Sequence, residues 1–227
     1  MNNAVNYIDR MIILPGVQPH IREFSYHRYA GVSLASLQAI AQRGAQYGVR
    51  TAMLEHIGSD YIDLHQDLKV GMNSAWQQYV LGYCSTSDTG SEYYRIDESD
   101  PTHPIVIMGT QTKYFRQYFK YVRRGAVRIQ ASSNNSTFDP LAFINNDGTY
   151  VVVVKASQGG SLSIQGLPAG NYGVYYTIAD QYNAWPGDVS LSAGQVLNTA
   201  IPAAGVITIF RRLSNLQPAY LPLVRKK

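Results

Sequence analysis

One cysteine in 227 residues, Cys84, rules out an intramolecular disulfide and any cluster of thiolate metal ligands. Charged residues make up only 15% of the chain, against roughly 25% in an average soluble domain. Hydrophobic residues reach 45%, so the shortage of charge does not signal disorder. No run approaches the roughly 20 apolar residues a helix needs to cross a bilayer, and no membrane partner is expected. The opening MNNAVNYIDR has neither the basic start nor the apolar stretch of an export signal. The glycine patterns of dinucleotide, P-loop and nucleophile-elbow sites are absent, as is the HExxH of zinc proteases. The five histidines (His20, His27, His56, His65 and His103) show no other metal-ligand spacing, and Glu55 and His56, adjacent on a strand, would face opposite ways. No metal and no cofactor is expected.

What the chain does have is length for a sizeable core, 18 tyrosines, and a lopsided charge. Residues 1–104 carry a net −4 and residues 105–227 a net +8, so the halves differ chemically. The basic residues of the second half are scattered or terminal (Arg225, Lys226, Lys227) and are not interleaved with aromatics, which argues against nucleic acid as a partner.

The first half alternates strand and helix patterns. Ile21 to Tyr29 reads as a strand closed by Ala30-Gly31. Leu34, Leu37, Ile40, Ala41 and Ala45 then take helical spacing, with Ser33 as N-cap and Gly48 as stop. Val49 to Ile57 is apolar almost throughout, as a strand buried on both faces should be. A helix over Tyr61 to Met72, a strand over Ala75 to Tyr83, a polar loop from Ser85 to Pro104 and a helix over Thr110 to Arg123 complete a βαβαβα order. That order predicts parallel strands with right-handed crossovers.

From Ala126 the pattern changes to seven short runs: 126–131, 141–145, 150–156, 161–164, 172–179, 189–192 and 206–212. Turn signals such as Asn146-Asp147-Gly148 and Pro186-Gly187 separate them, which predicts an antiparallel β-sandwich. The boundary is placed at Arg124-Gly125.

The residue that asks for an explanation is Glu55, the only acid in its strand and close to its C-terminal end, where parallel α/β folds build active sites. Position alone does not separate a functional Glu55 from one that faces solvent or pairs with an arginine. His27 and Tyr29 fall on one face at the end of the preceding strand, and Trp76, Gln77 and Gln78 enter the following one. A carboxylate with His and Tyr on one side and Trp and Gln on the other suits a sugar site, in which carboxylates perform displacement and aromatic faces receive pyranose rings. Singly, His27 fits a structural role and Trp76 a core role as well.

His27-x-Tyr29, then Thr51-Ala52-Met53-Leu54-Glu55, then Trp76 resembles the last three strands of clan A (β/α)8 retaining glycoside hydrolases. Tyr118 to Ile129 is similar to the helix-to-sandwich junction of family 30 enzymes, and Ala142 to Val154, with its Asn-Asp-Gly turn and valine run, resembles their C-terminal β-domain. The resemblance implies residues 1–124 as the C-terminal portion of a barrel, about strands 6 to 8, and residues 125–227 as a β-sandwich domain. It implies Glu55 as the nucleophile, with Tyr29 and His27 orienting it and contacting the sugar, and Trp76 as the floor of the subsite. The general acid/base of such enzymes follows an earlier strand. The isolated chain is therefore expected to be inactive on carbohydrate, with a separately encoded N-terminal barrel portion as a conceivable partner. Extracellular residence and a tendency of the open sheet edges to self-associate are further implications. Asp60, Asp63, Asp67 and Glu92 are the other nearby acids, each expected on a solvated surface. The competing reading is a non-catalytic carbohydrate-binding or structural sandwich, with Tyr172, Tyr175, Tyr176, Tyr182 and Trp185 as its stacking platform or merely its packing.

Overall fold

The computed structural model describes residues 3–29 and 31–213. Ala30 and the terminal Arg225, Lys226 and Lys227 lie outside them. The chain divides into two compact units, Met1–Arg116 and Gln117–Lys227.

The first unit contains a parallel three-stranded sheet in the order β1 (Glu23–His27), β2 (Arg50–Glu55), β3 (Ala75–Trp76). Helix α1 (Ala4–Ile12) precedes it, α2 (Leu34–Tyr47) connects β1 to β2, and α3 (Tyr61–Lys69) connects β2 to β3. The expected capping of α2 is present: the Ser33 hydroxyl accepts from Ser36 N–H, and Gly48 closes the helix at φ 65°. Leu37 and Ile40 are its buried residues, and Gly44 lets it approach β2, because a Cβ there would sit 2.8 Å from the Val49 carbonyl oxygen. Helix α1 was not anticipated from its polar opening. It buries Ile8 and Ile12, and a two-pronged ion pair from Arg43 to Asp9 (2.6 and 2.7 Å) ties it to α2.

The strand expected over Ala75 to Tyr83 is split. Gln77 N–H makes a last ladder-side bond to the Met53 carbonyl (2.9 Å), but Gln78 N–H donates to the Tyr93 hydroxyl (3.0 Å) and leaves the sheet. The chain then starts a second small sheet, β4 (Val80–Cys84), β5 (Glu92–Asp97) and β6 (Ile105–Met108). Two of its strands lie in the segment expected to be a polar loop or its edge. The polar turn residues there serve a buried carboxylate: Glu92 accepts from the hydroxyls of Thr89 and Ser91 and from both their N–H groups. Burial raises the Glu92 pKa, and those donors more than reverse it, leaving the carboxyl below its usual 4.5. The stabilisation is thus present above pH 4.5 and is lost as pH falls through the lower folded value. Glu92→Gln is expected to flatten the acid-side loss of stability, measured by denaturation between about pH 3 and 7.

Helix α4 (Thr110–Phe119) ends four residues before the expected Arg123. Phe115 and Tyr118 are fully buried, whereas Phe119 is exposed.

The second unit packs a six-stranded antiparallel sheet against a two-stranded one. The first has the order β12 (Gln181–Leu191), β11 (Gly170–Ile178), β14 (Gly205–Arg212), β9 (Tyr150–Ala156), β8 (Phe138–Ile144), β7 (Val127–Ile129). The second pairs β10 (Gly160–Ile164) with β13 (Leu197–Ile201). Tyr172, Val174, Ile207 and Ile209 from the large sheet meet Leu162, Leu197 and Ile201 from the small one in a single core. An antiparallel sandwich is therefore present.

Strand β13 was missed, and Pro186-Gly187, read as a turn, lies inside β12. That strand is at the sheet edge, where a residue without an N–H is tolerated. Of the aromatics offered as a stacking platform, Tyr172 belongs to the core and Tyr175 stacks in a row with Phe210 and Tyr121, while Tyr182 and Trp185 stay exposed.

Asn145, just before the Asn-Asp-Gly turn, has a structural task. Asn145 Oδ1 accepts from Arg123 N–H (2.9 Å) and its Nδ2 donates to the Tyr121 carbonyl (3.0 Å), pinning the segment before β7 to the β8–β9 hairpin. Gly125, at φ 84°, passes so close to Asn146 that a Cβ would come within 2.2 Å of its amide.

Candidate active site

Strict alternation along β2 would put Thr51, Met53 and Glu55 on one side. Thr51 and Met53 do share the helix-covered side with Phe24 and Tyr26, their register partners on β1. A bulge then intervenes: Tyr26 opposes Met53, but His27 opposes Glu55, so Leu54 is an extra residue. The bulge turns Glu55 away from the helices to the open side that His27 occupies.

Tyr29 lies just past β1. Its hydroxyl donates to Glu55 Oε1 (3.3 Å) and accepts from Ile57 N–H (3.1 Å), so one phenol spans the end of β2. The Tyr29 ring meets His27 edge-on at 5.9 Å and the tilted His56 ring at 5.2 Å. His56 is itself held by a 2.8 Å contact between Nδ1 and the Ser59 hydroxyl. Partial burial pushes the Tyr29 phenol up, and the Glu55 carboxylate adds to the effect, so Tyr29 stays protonated and donating at neutral pH. Tyr79, an exposed residue that sequence reasoning did not include, is close enough to raise the same phenol slightly. A groove of about 710 Å³ continues along β1, lined by Ser25 and His27 on the strand, by Tyr29 just past it, and by Tyr7 and Met11 on α1.

The structure thus brings His27, Tyr29 and Glu55 together. It does not bring Trp76 to them. Trp76 opposes Met53 on the helix-covered side, is 9% exposed, packs on Phe115 at 5.0 Å between ring centres, and donates from Nε1 to Asp67 Oδ2 (2.9 Å). The β2 bulge re-aims Glu55 but has no counterpart reaching Trp76, so the ring keeps the helix side. The residue that alternation sends to the open side is Gln77, which is exposed.

The four other acids divide as follows. Asp60 caps α3, accepting from Ile62 and Asp63 N–H at 2.8 and 3.0 Å. Asp63 pairs with Arg28 at 2.6 Å. Asp67 and Glu92 correct the expectation of solvated surface positions, since both are buried. Asp67 accepts from Tyr26 Oη (2.8 Å), Arg28 Nη1 (2.6 Å) and Trp76 Nε1. Asp60, Asp63 and Asp67 are spaced three and four apart from the cap of α3 into the helix, and Arg28 is the lone cation between His27 and Tyr29. Those two signals together could have found the pair. Among the described residues no group of three or more His, Cys, Asp or Glu could hold a metal ion.

Residues 125–181 match the family model described as the glycosyl hydrolase family 30 beta sandwich domain. No curated protein matches the chain in sequence. Among solved structures, a GH30 endoxylanase from Clostridium papyrosolvens C71 superposes at TM-score 0.68 with 16% identity, covering 92% of this chain and 53% of that one. A family 30 subfamily 8 xylanase from Clostridium acetobutylicum gives 0.69 with 18% identity over 90% and 52%, and the catalytic domain of a GH30 xylanase from Talaromyces cellulolyticus 0.68 with 18% over 93% and 50%. The chain spans about half the length of these structures. By sequence across residues 125–181, and by fold across nearly its whole length, it is similar to the C-terminal part of a family 30 glycoside hydrolase.

Proposed function

We propose that residues 1–124 are the C-terminal portion of a (β/α)8 glycosidase barrel, that residues 125–227 are its sandwich domain, and that Glu55 is the nucleophile of a retaining glycoside hydrolase. The observation that carries this reading is the bulge that turns Glu55 onto the open side of β2, where the Tyr29 hydroxyl meets it. The in-sequence parallel order of β1, β2 and β3, with helices between them, supports the barrel assignment.

The chemistry follows from those groups. The Glu55 carboxylate attacks the anomeric carbon as the bond to the leaving oxygen breaks, forming a glycosyl ester. Water then displaces the ester, restoring the carboxylate and the original anomeric configuration. Tyr29 holds Glu55 in line, and His27 contacts the sugar from the neighbouring strand end. A retaining enzyme also needs a second carboxyl about 5–5.5 Å away to protonate the leaving group and activate the water. We assign that group to a part of the fold outside this sequence, joined to it or separately encoded. Without general acid catalysis the rate falls by roughly 10²–10⁴-fold on ordinary glycosides.

An activated donor separates these roles, because dinitrophenolate departs without protonation. Incubation with the dinitrophenyl fluoroglycoside of a xylo-disaccharide is expected to leave a single glycosyl adduct on the peptide containing Glu55, absent from Glu55→Gln, while xylan is not hydrolysed. No adduct at Glu55, or xylan hydrolysis that survives Glu55→Gln, would overturn the reading.

A further inference from the structure

A heavily engaged ionisable group of the first unit lies not at the site but behind it. Asp67, fully buried on α3, takes three donors from two strands: Tyr26 and Arg28 on Oδ1, both from the β1 side, and Trp76 of β3 on Oδ2. Strand β2, which ends in Glu55, lies between those two strands. Arg28 is gripped further by Asp63 (2.6 Å) and Gln66 (3.0 Å), both on α3, and its own N–H donates to the Glu55 carbonyl (3.3 Å). His27 and Tyr29 flank it in the chain. Fixing the Arg28 side chain on the helix side therefore fixes its two neighbours on the open side.

A buried ion pair is poor evidence of stabilisation, since desolvation takes back most of the attraction and apolar replacements of equal volume hold a fold as well. Its better-supported use is to enforce one geometry. We propose that Asp67 is a positioning residue for the candidate active site, setting the Tyr29–Glu55 contact through Arg28. Its functional meaning rests on the reading of Glu55 as nucleophile, but its physical content does not.

The test reads the Glu55 carboxyl itself, by its carbon-13 chemical shift at neutral pH in the full chain labelled at glutamate, with Glu55→Gln assigning the resonance. Tyr29→Phe removes the hydroxyl that donates to Glu55 Oε1 and is expected to displace the Glu55 carboxyl resonance. Asp67→Asn is expected to shift Glu55 in the same direction, and the double variant no further than the larger single one, because both act through one contact. Arg28→Lys keeps the charge but cannot reach Asp67, Asp63 and Gln66 together, and it is expected to reproduce the shift should Asp67→Asn fail to fold. Leu64→Ala, a buried α3 substitution, is the control for mere destabilisation and leaves the Glu55 resonance unchanged. An unshifted Glu55 in folded Asp67→Asn or Arg28→Lys, or an equal shift in Leu64→Ala, overturns the proposal. A shift in Asp67→Asn together with no glycosyl adduct on Glu55 would refute the nucleophile reading and leave this one standing.

Discussion

Arg28→Met is expected to cost about 3–5 kcal/mol, since it leaves the Asp67 carboxylate buried without its cation. Among the described residues, the phenol of Tyr26 and the indole of Trp76 would remain as the hydrogen-bond donors to that charge. Burial already holds the Asp67 carboxyl above its usual value of 3.8, and Arg28 is the first of the groups that pull it back. Removing Arg28 raises it further. An acid whose folded pKa exceeds its unfolded one carries no penalty below the unfolded value and a growing one as pH rises through the folded value. The variant is therefore expected to approach wild-type stability most closely near about pH 4 and to fall furthest behind at neutral pH. Denaturant unfolding of the two proteins at both pH values checks the difference. The double variant Arg28→Met, Asp67→Leu removes both charges and is expected to recover part of the loss, which a purely steric explanation of Arg28→Met does not predict.

Gly205→Ala is the corresponding prediction for the sandwich. Gly205 opens β14 opposite Ile178, and a Cβ there would lie 2.2 Å from the Thr177 carbonyl oxygen and 3.0 Å from the Ile178 side chain. The obstacle is backbone held in the β11–β14 ladder, which cannot swing aside as a flexible side chain can. Loss of about 3 kcal/mol or more is expected, at the upper end of overpacking costs, with faster hydrogen exchange at the paired amides of β11 and β14. Gly194→Ala provides the contrast: its φ is 75° but nothing lies within 4 Å, so only the backbone strain of roughly 1 kcal/mol applies. Equal effects at the two glycines would show that the close approach at Gly205 relaxes away.

Much of the architecture could be read locally. Ser33 and Gly48 bracket α2 because capping is decided within one turn of chain, and the valine run of β9 is a strand because nothing else accommodates four adjacent buried valines between turn signals. The readings that failed depend on partners distant in sequence. Gln78 leaves the parallel sheet for the hydroxyl of Tyr93, and the polar segment around Thr89 and Ser91 folds around Glu92. Pro186 is acceptable in β12 only because that strand ends up at a sheet edge.

The site divides the same way. Composition and order alone determined that this chain has no intramolecular disulfide, that its second half is a sandwich, and that Glu55, His27 and Tyr29 sit at neighbouring strand ends. Which way those side chains face was decided by the tertiary structure. A single extra residue in β2 reverses Glu55 and nothing equivalent reverses Trp76, and that difference lies in inter-strand register, which no stretch of sequence holds by itself. The buried Asp67 network likewise exists only once α3 is laid across β1 and β3, because a carboxylate taken out of water must find its donors wherever the fold has placed them.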